Sequence, residues 1–260
     1  NVGGLKKKKT SKKQTGTKTK WKPDLDVFTD INVRDEYFQD VLKRQAVVNP
    51  NLLFVYRFQK EDGSFEEKEF IYENGITDYV NEIAAGENLT SVQNWSADRV
   101  GRDREDKSEY KVKMEFALTF SNKIKKIEYY HNSSFLEHGG SPERAVKQAF
   151  VSQIDAYLKQ NNKYLKNEKK ITFDDVEDCL ILVSSSFSTQ TSYENQTKKA
   201  ITNKFIYETM TEFLKHQLEI YFIENPDEAL KIAEQVMVNK RSRENAEKTR
   251  LNLKKKLAGT

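Results

Sequence analysis

The chain has 260 residues, a formal net charge of +4, 37% hydrophobic and 32% charged residues, and a mean hydropathy of −0.81. No apolar run approaches the ~20 residues of a bilayer-spanning helix, which excludes a helical membrane protein. The single cysteine, Cys179, excludes an internal disulfide and predicts a reducing compartment; with a lysine- and threonine-rich start in place of an apolar leader, the expectation is a cytoplasmic protein.

The charge is uneven. Residues 1–22 carry nine Lys and no acid, and residues 239–256 carry eight Lys or Arg against Glu244 and Glu247, so the body between them is net acidic. Two basic ends on an acidic body fit a protein that works near nucleic acid without binding it through its central surface; solvated ends are the competing explanation.

Residues 1–15 have no apolar period and read as disordered or as a long hairpin loop. Residues 16–22 alternate Thr and Trp with Lys and read as a strand stopped by Pro23-Asp24. A lone strand is unstable in water, so its sheet partners are expected before residue 1. Val33, Tyr37, Phe38, Val41, Leu42 and Ala46 have amphipathic-helix spacing, ended by Asn49-Pro50. Two strand-like runs, 52–58 and 65–72, flank Asp62-Gly63, a hairpin signal. A short helix follows over 76–85, and the charge-dense residues 98–109 read as a loop.

Tyr110, Val112, Met114, Phe116, Leu118 and Phe120 alternate with polar residues, which predicts a half-buried strand; residues 124–130 read as its hairpin partner. His131 and His138 fall in a loop with no second ligand at metal spacing, so no metal site is expected. Ser141-Pro142-Glu143 opens a helix that runs to Asn161-Asn162. Thr172 caps a short helical turn whose Asp174 and Asp175 suit the positive end of a helix dipole better than acid/base work. Cys179 has no basic neighbour and reads as a core residue ahead of the apolar run Leu180-Ile181-Leu182-Val183. Phe205 to Tyr221 gives another amphipathic helix. Pro226 restarts helix, whose apolar stripe fades after Val238 into a charged, basic end.

Between the run at 180–183 and the helix near Ala200 lies Gln196-Thr197-Lys198, in a polar loop. Loops between a strand and a helix are where such folds place function. In an extended segment Gln196 and Lys198 would face the same side and could reach one anion.

The element order gives an α+β fold: a mainly antiparallel sheet backed by helices. That order, with four stretches, resembles the B subunit of DNA gyrase and its topoisomerase IV equivalent. Gly16-Thr17 before Pro23-Asp24 looks like the closing strand of that family's GHKL-type ATPase domain. Phe70-Ile71-Tyr72-Glu73-Asn74-Gly75-Ile76 looks like its aromatic, Glu-Gly-Gly-Ile segment. The loop with Gln196-Thr197-Lys198 looks like its transducer loop, and Glu224-Asn225-Pro226 with the basic helix looks like its exit toward the DNA-cleaving half.

The resemblance implies a ribosomal-protein-like transducer fold with a left-handed βαβ crossover, ending in a long basic helix. It implies residues 1–24 as tail and closing strand of the ATPase domain, 25–224 as the transducer and 225–260 as the exit helix. It implies Lys198 as the catalytic γ-phosphate lysine of ATP, Gln196 as a second nucleotide contact, and Thr17 at the edge of the nucleotide pocket. Lys240, Arg241 and Arg243 would approach DNA phosphates.

Cofactors by the same resemblance are ATP with Mg2+ bound mainly by the ATPase domain, and the Mg2+ of a TOPRIM domain expected after residue 260. The implied partners are DNA, the topoisomerase A subunit in an A2B2 assembly, the chain's own ATPase domain, and a second copy in a full-length homodimer, with no membrane. The fragment alone would not hydrolyse ATP. His138-Gly139-Gly140-Ser141-Pro142 and Lys199-Ala200-Ile201-Thr202-Asn203 depart from the family's usual sequences. Two other readings stay open: a non-catalytic, basic-ended nucleic-acid-binding α+β module, and another GHKL-type ATPase.

Overall fold

A computed structural model describes residues 15–257. The stretch 1–14, expected to be disordered or a hairpin loop, lies outside the described residues. Residues 15–24 are mostly exposed and form no strand, so the strand expected over 16–22 is absent among them.

Helix α1 (Asp35–Val48) leads into the hairpin β1 (Phe54–Gln59) and β2 (Phe65–Phe70), paired antiparallel with Phe54 opposite Phe70. Its turn is where Asp62-Gly63 predicted it, with Gly63 at φ +82° and Lys60 N donating to Ser64 O. Helix α2 (Ile76–Ala84) follows. The main sheet is then built from β3 (Gln93–Gly101), β4 (Tyr110–Phe120), β5 (Lys126–His131), β6 (Ser134–Phe135) and β7 (Leu180–Ser188). Between β6 and β7 come α3 (Ser141–Gln160) and α4 (Phe173–Glu177), and after β7 come α5 (Lys204–Glu224) and α6 (Pro226–Leu257). This is the expected α+β architecture ending in a long helix.

Strand order in the sheet is β3-β4-β7-β5-β6. Two expectations are corrected here. Residues 98–101, expected in a loop, complete β3, which pairs antiparallel with β4 along its whole length. The run near 124–130 is not the hairpin partner of β4: β5 lies parallel to β7, with Tyr129 opposite Ser184, and β7 separates it from β4. The chain between β5 and β7 is therefore a crossover through α3 and α4, the connection that a parallel pair requires.

Each face of the sheet is covered. One face carries Phe116, Phe120, Leu180 and Leu182 under α3 and α5; the other carries Ala117, Tyr130, Ile181 and Val183 under α1, α2 and β2. The apolar end of β7 is thus buried on both sides, which is why its sequence is a continuous run instead of an alternation. Phe116, Phe120 and Phe150 are fully buried, each worth about 1.5–3 kcal/mol in transfer free energy. Tyr37, Phe38 and Val41 of α1 are exposed, although their spacing placed them on a buried face. No helix among the described residues is long and apolar enough to cross a membrane.

Candidate functional site

The second half of β7 changes chemistry. After Val183 come Ser184, Ser185, Ser186, Phe187 and Ser188, and the strand then gives way to the Gln-Thr-Lys loop. His131, at the end of β5, lies buried beneath this junction and is not the loop residue that its sequence context suggested. Its Nδ1 is 2.8 Å from Ser186 Oγ, and its Nε2 is 3.0 Å from both Ser188 Oγ and Thr191 Oγ1. Asn132 adds a second tie, donating to Ser188 O at 3.2 Å and Thr191 Oγ1 at 3.1 Å. The entrance to the loop is fixed by side chains from the parallel neighbour strand.

Burial lowers the His131 pKa from 6.5 to about 4, because the charged imidazolium cannot be solvated there. The unfolded chain therefore binds the proton first. Stability from this site is complete above about pH 6.5 and is lost as the pH falls from there toward 4. The loss expected at pH 4 is about 3 kcal/mol from this residue, measured by denaturant unfolding at a series of pH values; exchange of His131 for Asn should flatten that slope.

The loop is a short folded hairpin. Glu194 N donates to Ala200 O at 3.0 Å and Thr202 N to Ser192 O at 2.8 Å, with Tyr193 bridged to Ile201. At the tip, Asn195 Oδ1 accepts from Thr197 N at 3.1 Å and from Thr197 Oγ1, and Lys198 N donates to Asn195 O at 3.2 Å. This Asx-type turn overturns the extended geometry assumed for Gln196 and Lys198: they sit on a turn, and Lys198 has φ +57°. Both side chains are nonetheless exposed at the tip. The Lys198 ammonium lies 5.5 Å from the Tyr193 ring centroid and makes no ion pair among the described residues. Its neighbour Lys199 is bound to Glu137. The returning strand of the hairpin docks on the chain before α3, with His138 N donating to Lys199 O at 2.9 Å and Ser141 N to Ile201 O at 2.8 Å.

The remaining site residues are dispersed. Thr17 is exposed, and no hydrogen bond joins it to the loop among the described residues. Lys240 has no exposed side-chain surface. Its ammonium sits 3.0 Å from Glu168 and 3.1 Å from Glu244, so it is unavailable to a DNA phosphate in this conformation. Arg241 binds Glu168 as well, and Arg243 grips Asp175 through Nε at 2.7 Å and Nη2 at 3.0 Å. The Arg241 guanidinium, with Lys240 behind it, holds the Glu168 carboxyl at about 2.

Asp175 is both the reciprocal partner of Thr172 in a capping box and the anchor for α6. Burial opposes its ionisation, but Arg243 and the Thr172 amide outweigh burial and keep its pKa below the ordinary value. Arg243→Lys would replace two directed bonds by a point charge and should destabilise the chain by about 1–2 kcal/mol in thermal unfolding. The Cys179 thiol is pushed up to about 12 by burial, consistent with an inert core residue.

Similarity to known proteins decides the family. The DNA gyrase B family matches residues 75–252. The chain belongs to that family. The DNA gyrase B protein of Metamycoplasma arthritidis is 27% identical over 237 residues, covering 90% of this chain and 36% of that protein. Its Chlamydia pneumoniae counterpart is 28% identical over 244 residues, covering 92% and 29%. The chain thus spans about a third of the length of the curated relatives it matches.

Among solved structures, the 43K ATPase domain of Thermus thermophilus gyrase B superposes with a TM-score of 0.62 at 20% identity, over 88% of this chain and 59% of that one. The topoisomerase IV ATP-binding domain of Francisella tularensis gives 0.60 at 23%, over 85% and 57%. Both support the fold of this gyrase B family member.

Proposed function

We propose that this chain is the transducer region of the ATP-hydrolysing subunit of a type II DNA topoisomerase, and that Lys198 contacts the γ-phosphate of ATP held by a preceding ATPase domain. The carrying observation is the tip of the Gln-Thr-Lys hairpin: an exposed ammonium without a carboxylate partner among the described residues, presented beside Gln196 on a turn anchored to the core. A mobile point charge suits a group that leaves during the reaction, and its loss frees the loop to reorient. ATP with Mg2+ supplies the phosphoryl group; Lys198 and Gln196 would orient it from this side, with Thr17 at the edge of the pocket.

The proposed division is 1–24 for the end of the ATPase domain, 25–224 for the transducer and 225–260 for the exit helix. Exposed Tyr37, Phe38 and Val41, with Phe58 and Phe65 on the hairpin, support a preceding domain whose contact surface reaches past residue 24. DNA, the A subunit in an A2B2 assembly and a second copy of the chain are the proposed partners in the cytoplasm. DNA contact through α6 would fall to the exposed residues after Arg243, such as Lys248 and Arg250, since Lys240, Arg241 and Arg243 are already committed to carboxylates. The test is Lys198→Ala in the full-length protein, with ATP turnover and nucleotide affinity measured together.

A further inference from the structure

Asn203 is 2% exposed and immediately precedes α5. Asparagine at that position ordinarily caps its own helix with its side-chain oxygen. Here it does not. Its side-chain oxygen instead accepts from Ser192 N, at 2.8 Å, in the outgoing strand of the Gln-Thr-Lys hairpin. Because Ser192 N can only donate, the orientation of the amide is determined, and its nitrogen faces the other way. That nitrogen donates to Asp103 Oδ2 at 2.9 Å and to the Tyr110 hydroxyl oxygen at 3.1 Å.

The cap of α5 is supplied from elsewhere. Asp103, on the loop between β3 and β4, accepts from Phe205 N at 2.8 Å and from the Tyr110 hydroxyl at 2.8 Å. The main-chain oxygen of Asn203 accepts from Ser141 Oγ at 2.8 Å, at the start of α3. One residue therefore joins four elements: its side-chain amide ties the hairpin that carries Lys198 to the β3–β4 loop, whose Asp103 caps the first turn of α5, and its main-chain oxygen holds the N-terminus of α3. It holds both strands of the hairpin stem, since Thr202, its chain neighbour, pairs with Ser192.

We propose that Asn203 is a positioning residue that clamps the Lys198 hairpin to the N-terminus of α5, with Asp103 as the fixed side of the clamp. The clamp makes the position of the Lys198 tip and the seating of α5 a single variable. This rests on the reading of the hairpin as the phosphate-facing element. An amide that only filled space here would be replaceable by another small polar group. A clamp would not, because it must accept from Ser192 N and donate to Asp103 at once.

The discriminating variant is Asn203→Ser, which can cap α5 with its own hydroxyl but cannot span from Ser192 to Asp103. Its partner experiment is Asn203→Asp, alone and combined with Asp103→Asn. The single change sets two carboxylates against each other, whereas the reciprocal pair restores one donor between an acceptor for Ser192 N and an acceptor for Phe205 N. Two readouts are taken: amide hydrogen exchange in the 260-residue chain, and ATP kinetics in the full-length protein.

For Asn203→Ser and Asn203→Asp, exchange over 192–199 and at Phe205 should rise at least about tenfold while the interior of β4 is unchanged. The kcat should fall about tenfold with KM within about twofold. The reciprocal pair should return both readouts to within about twofold of the parent. Unchanged loop exchange in Asn203→Ser, or a reciprocal pair no better than Asn203→Asp alone, overturns the clamp. If Lys198→Ala leaves turnover intact, the phosphate-facing reading fails by itself, and the exchange data still decide the clamp.

Discussion

Lys198→Ala should lower the ATP kcat of the full-length protein by about 100- to 1000-fold while leaving nucleotide affinity within a few-fold, the range seen when one preorganised donor to a developing charge is removed. The expectation rests on contrast within the loop. Lys199 is already paired with Glu137, whereas among the described residues the Lys198 ammonium faces the Tyr193 ring and no carboxylate, and a ring holds a cation without quenching it. Lys198 also occupies the left-handed region at φ +57°, a conformation that costs a non-glycine residue on the order of 1 kcal/mol and that the Asn195 turn enforces. Lys199→Ala should therefore change kcat by no more than about twofold, since it removes a half-exposed pair of small net value. Turnover that survives Lys198→Ala, or falls equally in both variants, would remove the assignment of the loop to the phosphate.

The largest stability effect should come from Gly140→Ala, at roughly 4 kcal/mol in denaturant unfolding of the 260-residue chain. Gly140 has φ +84° and ψ −128°, a region open to glycine almost alone. A Cβ there would lie 2.2 Å from Ile201 O and 2.8 Å from Ile201 N, and both atoms are backbone, so no rotamer change relieves the overlap. The contact is that close because Gly140 bridges Ile201 in parallel and Ser141 N donates to the same Ile201 oxygen. Gly86 is the control. Its φ is +80° but nothing lies within 4 Å of its would-be Cβ, so Gly86→Ala should cost only about 1 kcal/mol of backbone strain. Similar costs at the two positions would mean that the docking of the hairpin on α3 contributes nothing.

Much of the fold was legible because the decisive pattern was local. The alternation from Tyr110 to Phe120, the Asp62-Gly63 turn, Pro142 at a helix start and the paired apolar stripes of α3 and α5 all carry their structure in adjacent residues. What escaped depends on distant partners. β3 is an edge strand with polar residues such as Asp98 and Arg99, and it is held by backbone pairing to β4 that no side-chain period announces. The parallel placement of β5 beside β7 is settled by a crossover through two helices. Lys240 looked like a free cation because Glu168, which with Glu244 surrounds its ammonium, lies 72 positions away in sequence.

Within the site, Gln196-Thr197-Lys198 was readable as a motif, but its turn is dictated by Asn195. Asn203 and Asp103 were missed, being 100 positions apart. The one local hint was an Asn directly before a helix, the position from which a side chain ordinarily caps.

The buried knot of Lys240, Glu168 and Arg243 with Asp175 has a mechanical consequence. Helix α6 has 32 residues, which at 1.5 Å each makes a rod of about 48 Å, and the knot grips it at its midpoint. Beyond Arg243 roughly 21 Å of helix is solvent-exposed on every residue from Asn245 onward. The knot is thus a fulcrum and the basic segment a lever arm: a turn of about 10° there would swing the far end by nearly 4 Å. A fulcrum made of ions differs from one made of methyl groups in a practical way, since the one carboxylate of Glu168 holds both Lys240 and Arg241, and a single substitution there would loosen both.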